Sequence, residues 1–196
     1  MKGANLFMKK FTFSPGSWEN AGLQYAYSWR FSELPVFRQE ADCIVNSEAP
    51  GTNQVYDYMG LMAPDTYSQG TKLTVRFSFQ EKGAPMLTIC DKHELDENGI
   101  LRTLDYYELV IWKNGLNVWR LHTQDRKVSW YKVLGVSFPL AENEIHTISA
   151  ELKENRLIIQ VNDRQMDLFV HDLGEKFLLG FTACEGFCRT YDMTIA

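Results

Sequence analysis

The stretch Tyr106–His122 reads YYELVIWKNGLNVWRLH, two apolar runs joined across Asn114-Gly115. Asn-Gly supplies the two positive-φ residues that a tight type I′ turn requires, so the spacing predicts a β-hairpin turning at Asn114-Gly115. In that register Lys113 faces Leu116, Trp112 faces Asn117, Val110 faces Trp119 and Glu108 faces Leu121. Alternation places Tyr107, Leu109, Ile111, Leu116, Val118, Arg120 and His122 on one face, whose aliphatic centre reads as core. The other face carries Tyr106, Glu108, Val110, Trp112, Asn117, Trp119 and Leu121, a mixture of indoles, a carboxylate and an amide that can meet solvent.

The same period of two recurs on both sides of this hairpin, and stripes of period 3.6 scarcely occur. Leu73, Val75, Phe77 and Phe79 alternate with Lys72, Thr74, Arg76 and Ser78. Asp91–Leu104, with Glu94, Asp96, Glu97, Asn98 and Gly99, predicts a long surface loop. Ile148, Ala150 and Leu152 lead through a turn at Glu154-Asn155 into Leu157, Ile159 and Val161, and a second turn at Asn162-Asp163 leads into Met166, Leu168 and Val170. Phe177–Thr182 and Phe187–Ile195 predict a closing strand pair around Glu185-Gly186. Without a linker, repeat or low-complexity tract, residues 1–196 read as one all-β antiparallel sandwich.

Composition narrows the function classes. A chain of 196 residues with 45% hydrophobic and 23% charged side chains is globular rather than disordered. A formal charge of -5 with scattered Lys and Arg excludes nucleic acid as the expected partner. No apolar run approaches the roughly 18 residues of a membrane span, and Met1–Ser17 lacks the pattern of a secretory leader, so the expected location is cytoplasmic. Cys43, Cys90, Cys184 and Cys188 read as reduced thiols, although Cys184 and Cys188 could approach across a hairpin. No C-x-x-C or clustered His implies a metal, and no cofactor is expected. Asp192 alone falls far short of the roughly 6–8 oxygens that calcium takes.

The run EIHTISAELKENRLIIQVND (144–163) and the final LLGFTACEGFCRTYDMTI (178–195) resemble the strand, turn and closing-strand signatures of concanavalin A-like lectin and glucanase domains. The resemblance implies a jelly-roll sandwich of two curved sheets whose concave face holds an oligosaccharide or polysaccharide fragment. Glucanases of this kind carry Glu-x-Asp-x-Glu on a strand, which sets three carboxylates on one side. Here the nearest approach is Glu94-Leu95-Asp96-Glu97-Asn98, whose last carboxylate faces the other way, so that motif is absent.

The mixed hairpin face is the candidate site. Indole rings offer apolar platforms for sugar C–H groups, and amides and carboxylates bond hydroxyls, which makes Trp112, Asn117, Trp119 and Tyr106 substrate-binding candidates and Glu108 the candidate catalytic residue. Glycosidic cleavage needs a second carboxylate, for which Asp57, Glu40 and Asp42 qualify by type. A lyase would use Tyr107, His122 and Arg120, but their face reads as core and Arg120 as a packed or rim residue. Trp29 reads as core, and His93, His146 and His171 as solvated. The expected function is a carbohydrate-active protein, a binding module or a glycoside hydrolase or lyase. The alternative is a non-catalytic structural or protein-interaction module.

Overall fold

The structure, a computed structural model, describes residues 8–30, 36–46 and 59–196. Alternating apolar and polar side chains form β1 (Lys9–Thr12), β2 (Gln24–Ser28), β3 (Arg38–Gln39), β4 (Ile44–Val45), β5 (Gly60–Met62), β6 (Lys72–Gln80) and β7 (Ala84–Leu95). There follow β8 (Leu101–Trp112), β9 (Gly115–Gln124), β10 (Lys127–Ser137), β11 (His146–Lys153), β12 (Arg156–Val161), β13 (Arg164–Phe169), β14 (Leu178–Cys184) and β15 (Phe187–Ile195). No helix among the described residues is long and apolar enough to cross a membrane.

Two sheets share the work. One runs β13-β12-β11-β6-β15-β4-β3, with β1 also on β15; the other runs β10-β9-β8-β2-β5-β14-β7, with β7 also paired to β8. Between them lies the main core, which takes Leu73, Val75, Phe77 and Phe79 from β6 and Leu109, Ile111, Leu116 and Val118 from the hairpin. The face expected to be buried is therefore buried, and Tyr106, Glu108 and Trp119 belong to the outer face of the second sheet.

That outer face is partly closed by the chain itself. β2 pairs with β5 on one side and, in parallel, with Leu101–Thr103 of β8 on the other. Because β5 pairs with β14, β14 with β7 and β7 with β8, five strands form a closed cycle of pairings. Ala26, Met62, Cys90, Leu101, Tyr106 and Leu178, drawn from each of the five, make a second small core with Leu121 of β9. The outer face stays open over β9, β10 and the adjoining end of β8.

Several expectations are corrected. The hairpin turn lies at Lys113-Asn114, since Trp112 pairs with Gly115, Val110 with Asn117 and Glu108 with Trp119. Asn114 does not take positive φ; Gly115 does, at 142°, as the first residue of β9. The register is thus two residues from the predicted one, and a slip of two preserves every face assignment. The paired positive φ values of a type I′ turn occur instead at Asp125-Arg126 and Glu154-Asn155.

Asp91–Leu104 is mostly strand rather than loop. β7 and β8 extend beyond the main core as a hairpin tied by cross-strand ion pairs, in which the exposed Lys92 meets the buried Asp105 at 2.6 Å and the half-buried Arg102 meets Glu94 at 3.0 Å. Charged composition imitated a loop there. The turn itself is short, with the Asp96 carboxylate accepting from the amides of Asn98 and Ile100 at 2.9 and 2.8 Å. Nor do β14 and β15 pair with each other: Glu185-Gly186 carries the chain from one sheet to the other, so Cys184 and Cys188 are separated and both are free thiols. His146 is buried, stacked on Phe79 with centroids 5.6 Å apart, and its Nε2 lies 2.8 Å from the Ala141 carbonyl.

A side chain at Gly115 would place Cβ 2.0 Å from the Val136 carbonyl oxygen, whereas at Gly99, also at positive φ, it would meet open space. Gly115→Val is expected to cost about 2 kcal/mol or more, from overpacking and strained φ together, against roughly 1 kcal/mol for Gly99→Ala. Urea unfolding midpoints of the two variants check the difference.

Candidate functional site

On the open part of the outer face, Glu108 stands in β8 between Thr88 of β7 and Trp119 of β9. Only 5% of Glu108 is exposed. Arg30, just beyond β2, reaches over it: Nη2 donates to Glu108 Oε1 at 2.6 Å, while Nε and the backbone amide of Arg30 donate to Ser28 Oγ at 3.3 Å. β2 thereby delivers a guanidinium onto the floor of the face. A charge-assisted bond of this kind lets a carboxylate remain in a nearly dry setting.

Above this pair opens a cleft of about 160 Å³ walled by Met86, Val110, Trp119, Leu121 and Trp130, with Arg30, Glu108 and Cys184 completing it. Trp130 is opposite Leu121 and Lys132 opposite Trp119 in the β9–β10 ladder, so both indoles stand on one face at diagonal positions. Trp119 is half-buried against the second small core, and Trp130 is 57% exposed. The Lys132 ammonium lies 5.4 Å from the Trp119 ring centroid.

The predicted residues distribute unevenly over this site. Glu108 and Trp119 come together as direct cross-strand neighbours, closer than the predicted register gave. Trp112 and Asn117 share the face but lie outside the cleft, Trp112 opposite Gly115 at the hairpin end and Asn117 between Val110 and Gly135. Tyr106 is 2% exposed in the second small core and offers no open platform, because β2 lies over that part of the sheet. Of the proposed second carboxylates, Glu40 belongs to the opposite sheet's edge, where it accepts from Arg189 Nε at 3.0 Å, Asp42 is exposed beside it, and Asp57 is outside the described residues. Among the described residues that line the cleft, Glu108 is the only carboxylate.

Arg30 and Trp130 escaped the sequence reading. The alternation in KVSWYKVLGVS (127–137) behind the Asp125-Arg126 turn carried the signal for Trp130. Nothing local marked Arg30, whose role depends on β2 crossing to β8. Trp29 is not core: it is half-buried under the Arg102 guanidinium at 3.6 Å, with Arg126 at 5.0 Å, in a wider polar cleft of about 660 Å³ that also holds Glu94, Glu97 and Asp125.

The lyase candidates meet on the other face, in a different role. Arg120 is 1% exposed, sits 4.6 Å from the Tyr107 ring centroid and donates to Asp91 Oδ1 at 2.8 Å and Asp172 Oδ2 at 2.9 Å. Tyr107 Oη donates to Asp172 Oδ1 at 2.6 Å, and His122 Nε2 lies 3.6 Å from the same carboxylate. With its charge met by two carboxylates and no exposed edge, Arg120 cannot receive a uronate. It braces the sandwich. No group of three or more His, Cys, Asp or Glu among the described residues could hold a metal ion, and Asp192 is bonded to Arg76 at 2.9 Å.

No protein-family model and no curated protein matches the chain. Solved structures do match in fold. The Bacillus licheniformis β-glucanase superposes with a TM-score of 0.62 at 11% identity, over 100% of this chain and 99% of that one. Carbohydrate binding module CBM66 from Bacillus subtilis gives 0.57 at 11% identity over 87% and 92% of the two chains. A glycoside hydrolase family 16 endo-glucanase from Bacteroides ovatus gives 0.54 at 11% identity over 99% and 96%. The fold is the concanavalin A-like jelly roll. At such identity the likeness concerns the fold alone.

Burial alone would raise the Asp172 and Asp105 carboxyls, but hydrogen bonds and cations outweigh it: Tyr107 and Arg120 at Asp172, and Lys92 with the Thr123 amide at Asp105, hold both below the ordinary 3.8. A carboxyl depressed in the folded state takes up its proton more readily when unfolded. The stability both carboxylates confer is therefore complete above about pH 5 and is lost as pH falls through 3.8 and below. Unfolding midpoints measured from pH 7 to about pH 2.5 should show this acid limb, shallower in Asp172→Asn. Arg120→Met, which strands the buried Asp91 charge, is expected to cost about 3–5 kcal/mol in the same assay.

Proposed function

We propose that this protein binds an oligosaccharide in the cleft over β8, β9 and β10 without cleaving it. The observation that carries the reading is the pairing of two indole platforms, Trp119 and Trp130, with a polar floor made by Glu108 and Arg30. A sugar ring needs both kinds of surface, an apolar plane for its C–H face and directional groups for its hydroxyls. Glu108 Oε1 already accepts from Arg30 at 2.6 Å, which suits a carboxylate that orients hydroxyls rather than one that delivers a proton to a leaving oxygen. Hydrolysis by the two-carboxylate route would require a partner roughly 5 Å away for retention or 6.5–9.5 Å for inversion, and none lines the cleft among the described residues. The jelly-roll neighbours, which include a carbohydrate binding module and glucanases, support a carbohydrate partner. Four free thiols support keeping the cytoplasm as part of the proposal.

Trp119→Ala is the central test. Removing the half-buried indole should weaken a glycan found by array screening about tenfold or more in calorimetry. The same variant should lose only about 1–2 kcal/mol of stability, less than the roughly 3–5 of a fully buried Trp. Reducing-end assays on the ligand with wild-type protein are expected to show no release. A large fall in unfolding midpoint together with silence on every glycan panel would move the assignment to the protein-interaction module. That second reading is favoured by Tyr131, 50% exposed on the same edge strand as Trp130.

A further inference from the structure

We infer that the cleft ends in a specificity well, where Thr88 reads a single hydroxyl or hydroxymethyl group of the bound sugar; the inference rests on the binding reading above. The closed cycle of β2, β5, β14, β7 and β8 is a miniature barrel. Each of its strands lends a residue to a void of about 30 Å³ bordering the second small core: Ser28, Gly60, Thr182, Thr88 and Glu108. Thr88, Glu108 and Thr182 line this void, and the residues two positions along the same strands, Met86, Val110 and Cys184, wall the indole cleft. Residues two apart share one face of a strand, so the cleft is the mouth of the barrel and the void lies at its floor. Barrel mouths are where this kind of architecture holds ligands.

Volume and chemistry decide what enters. A void of about 30 Å³ takes roughly one or two waters, or one hydroxyl with its carbon, far below the roughly 300 Å³ at which sites for whole ligands begin. The ring therefore stays in the cleft and only a substituent descends. Hydroxyls await it. Ser28 Oγ is occupied in accepting from Arg30 Nε at 3.3 Å, and Thr103 Oγ1 in donating to the Tyr27 carbonyl at 3.2 Å. Thr88 differs: it is 3% exposed, stands beside Glu108 in the β7–β8 ladder, and its hydroxyl makes no hydrogen bond among the described residues. Solvent serves that hydroxyl while the mouth is open. A sugar ring over the mouth seals the well, and the partner must then come from the sugar, because a buried hydroxyl without one is costly. A hydroxyl both donates and accepts, which suits it to meet another hydroxyl. A sugar that lacks the group, or carries it on the other side of the ring, leaves Thr88 sealed and unserved and is rejected on that account.

The test measures four trisaccharides of one linkage by calorimetry on the full chain: cellotriose, xylotriose, which lacks the hydroxymethyl group, and mannotriose and galactotriose, each of which inverts one hydroxyl. Wild type should bind the best of the four about tenfold or more above the one that misplaces or lacks the group in the well. Thr88→Val keeps the volume and removes the hydroxyl, so it should level this ranking. The unfolding midpoint should hold or rise, since the fold loses no hydrogen bond. Thr88→Ser restores the hydroxyl and should keep the ranking. A ranking that is flat in wild type with Trp119-dependent binding, one that survives Thr88→Val, or one that Thr88→Ser also abolishes overturns this inference and leaves the binding reading standing. No binding of any of the four overturns both.

Discussion

Arg120 is the constraint on which the sandwich turns. An arginine with 1% exposure is tolerable only if its charge and donors are met, and here Asp91 on β7 and Asp172 in the loop after β13 meet them within 2.8–2.9 Å. That loop is where the chain leaves one sheet for the other, so a single guanidinium fixes β7, β9 and an inter-sheet crossing together. Tyr107 adds its ring beneath the cation and its hydroxyl to Asp172. The other late crossing, at Glu185-Gly186, is held by the buried Asn46, whose Nδ2 donates to the Glu185 carbonyl at 3.1 Å and whose Oδ1 accepts from the Cys188 amide at 2.7 Å. Polar side chains thus hold both joints, and apolar burial fills the space between.

With the inner face committed to packing, chemistry falls to the outer one, and there β2 decides how much remains open. By pairing in parallel with the start of β8 it closes a cycle of five strands and buries Tyr106, Cys90 and Leu121 beneath it. The burial pushes the Cys90 thiol up to about 12, leaving it an inert apolar group. The same strand ends by aiming Trp29 and Arg30 into two separate clefts. One short element therefore both shuts part of the face and furnishes the remainder.

Glucanases and a carbohydrate binding module share this jelly roll, so the fold by itself does not choose between cleaving a glycan and holding one. In this chain Glu108 is the only carboxylate among the described residues that line the outer cleft, and its Oε1 accepts from Arg30. Two indoles, Trp119 and Trp130, stand at diagonal positions and wall the cleft above that pair.

The alternation in 72–79, 106–122 and 148–161 determined the all-β class by itself, because side-chain direction in a strand has a period of two whatever the strand pairs with, while the jelly roll was implied only by the family resemblance. For the same reason the mixed face was identified correctly although the turn was placed one residue late: a shift of two in register returns each residue to its own side. Glu108 and Trp119 were legible on that ground. Partners that depend on long-range contact were not. The hairpin of β7 and β8 looked like a loop because its ion pairs form between strands, and the sheet change at Glu185-Gly186 looked like a hairpin because strand sequence does not record its neighbour. Only the tertiary structure brought Arg30 across 78 residues onto Glu108, buried Tyr106 and supplied Arg120 with its two carboxylates, since charge compensation and burial are properties of neighbours in space.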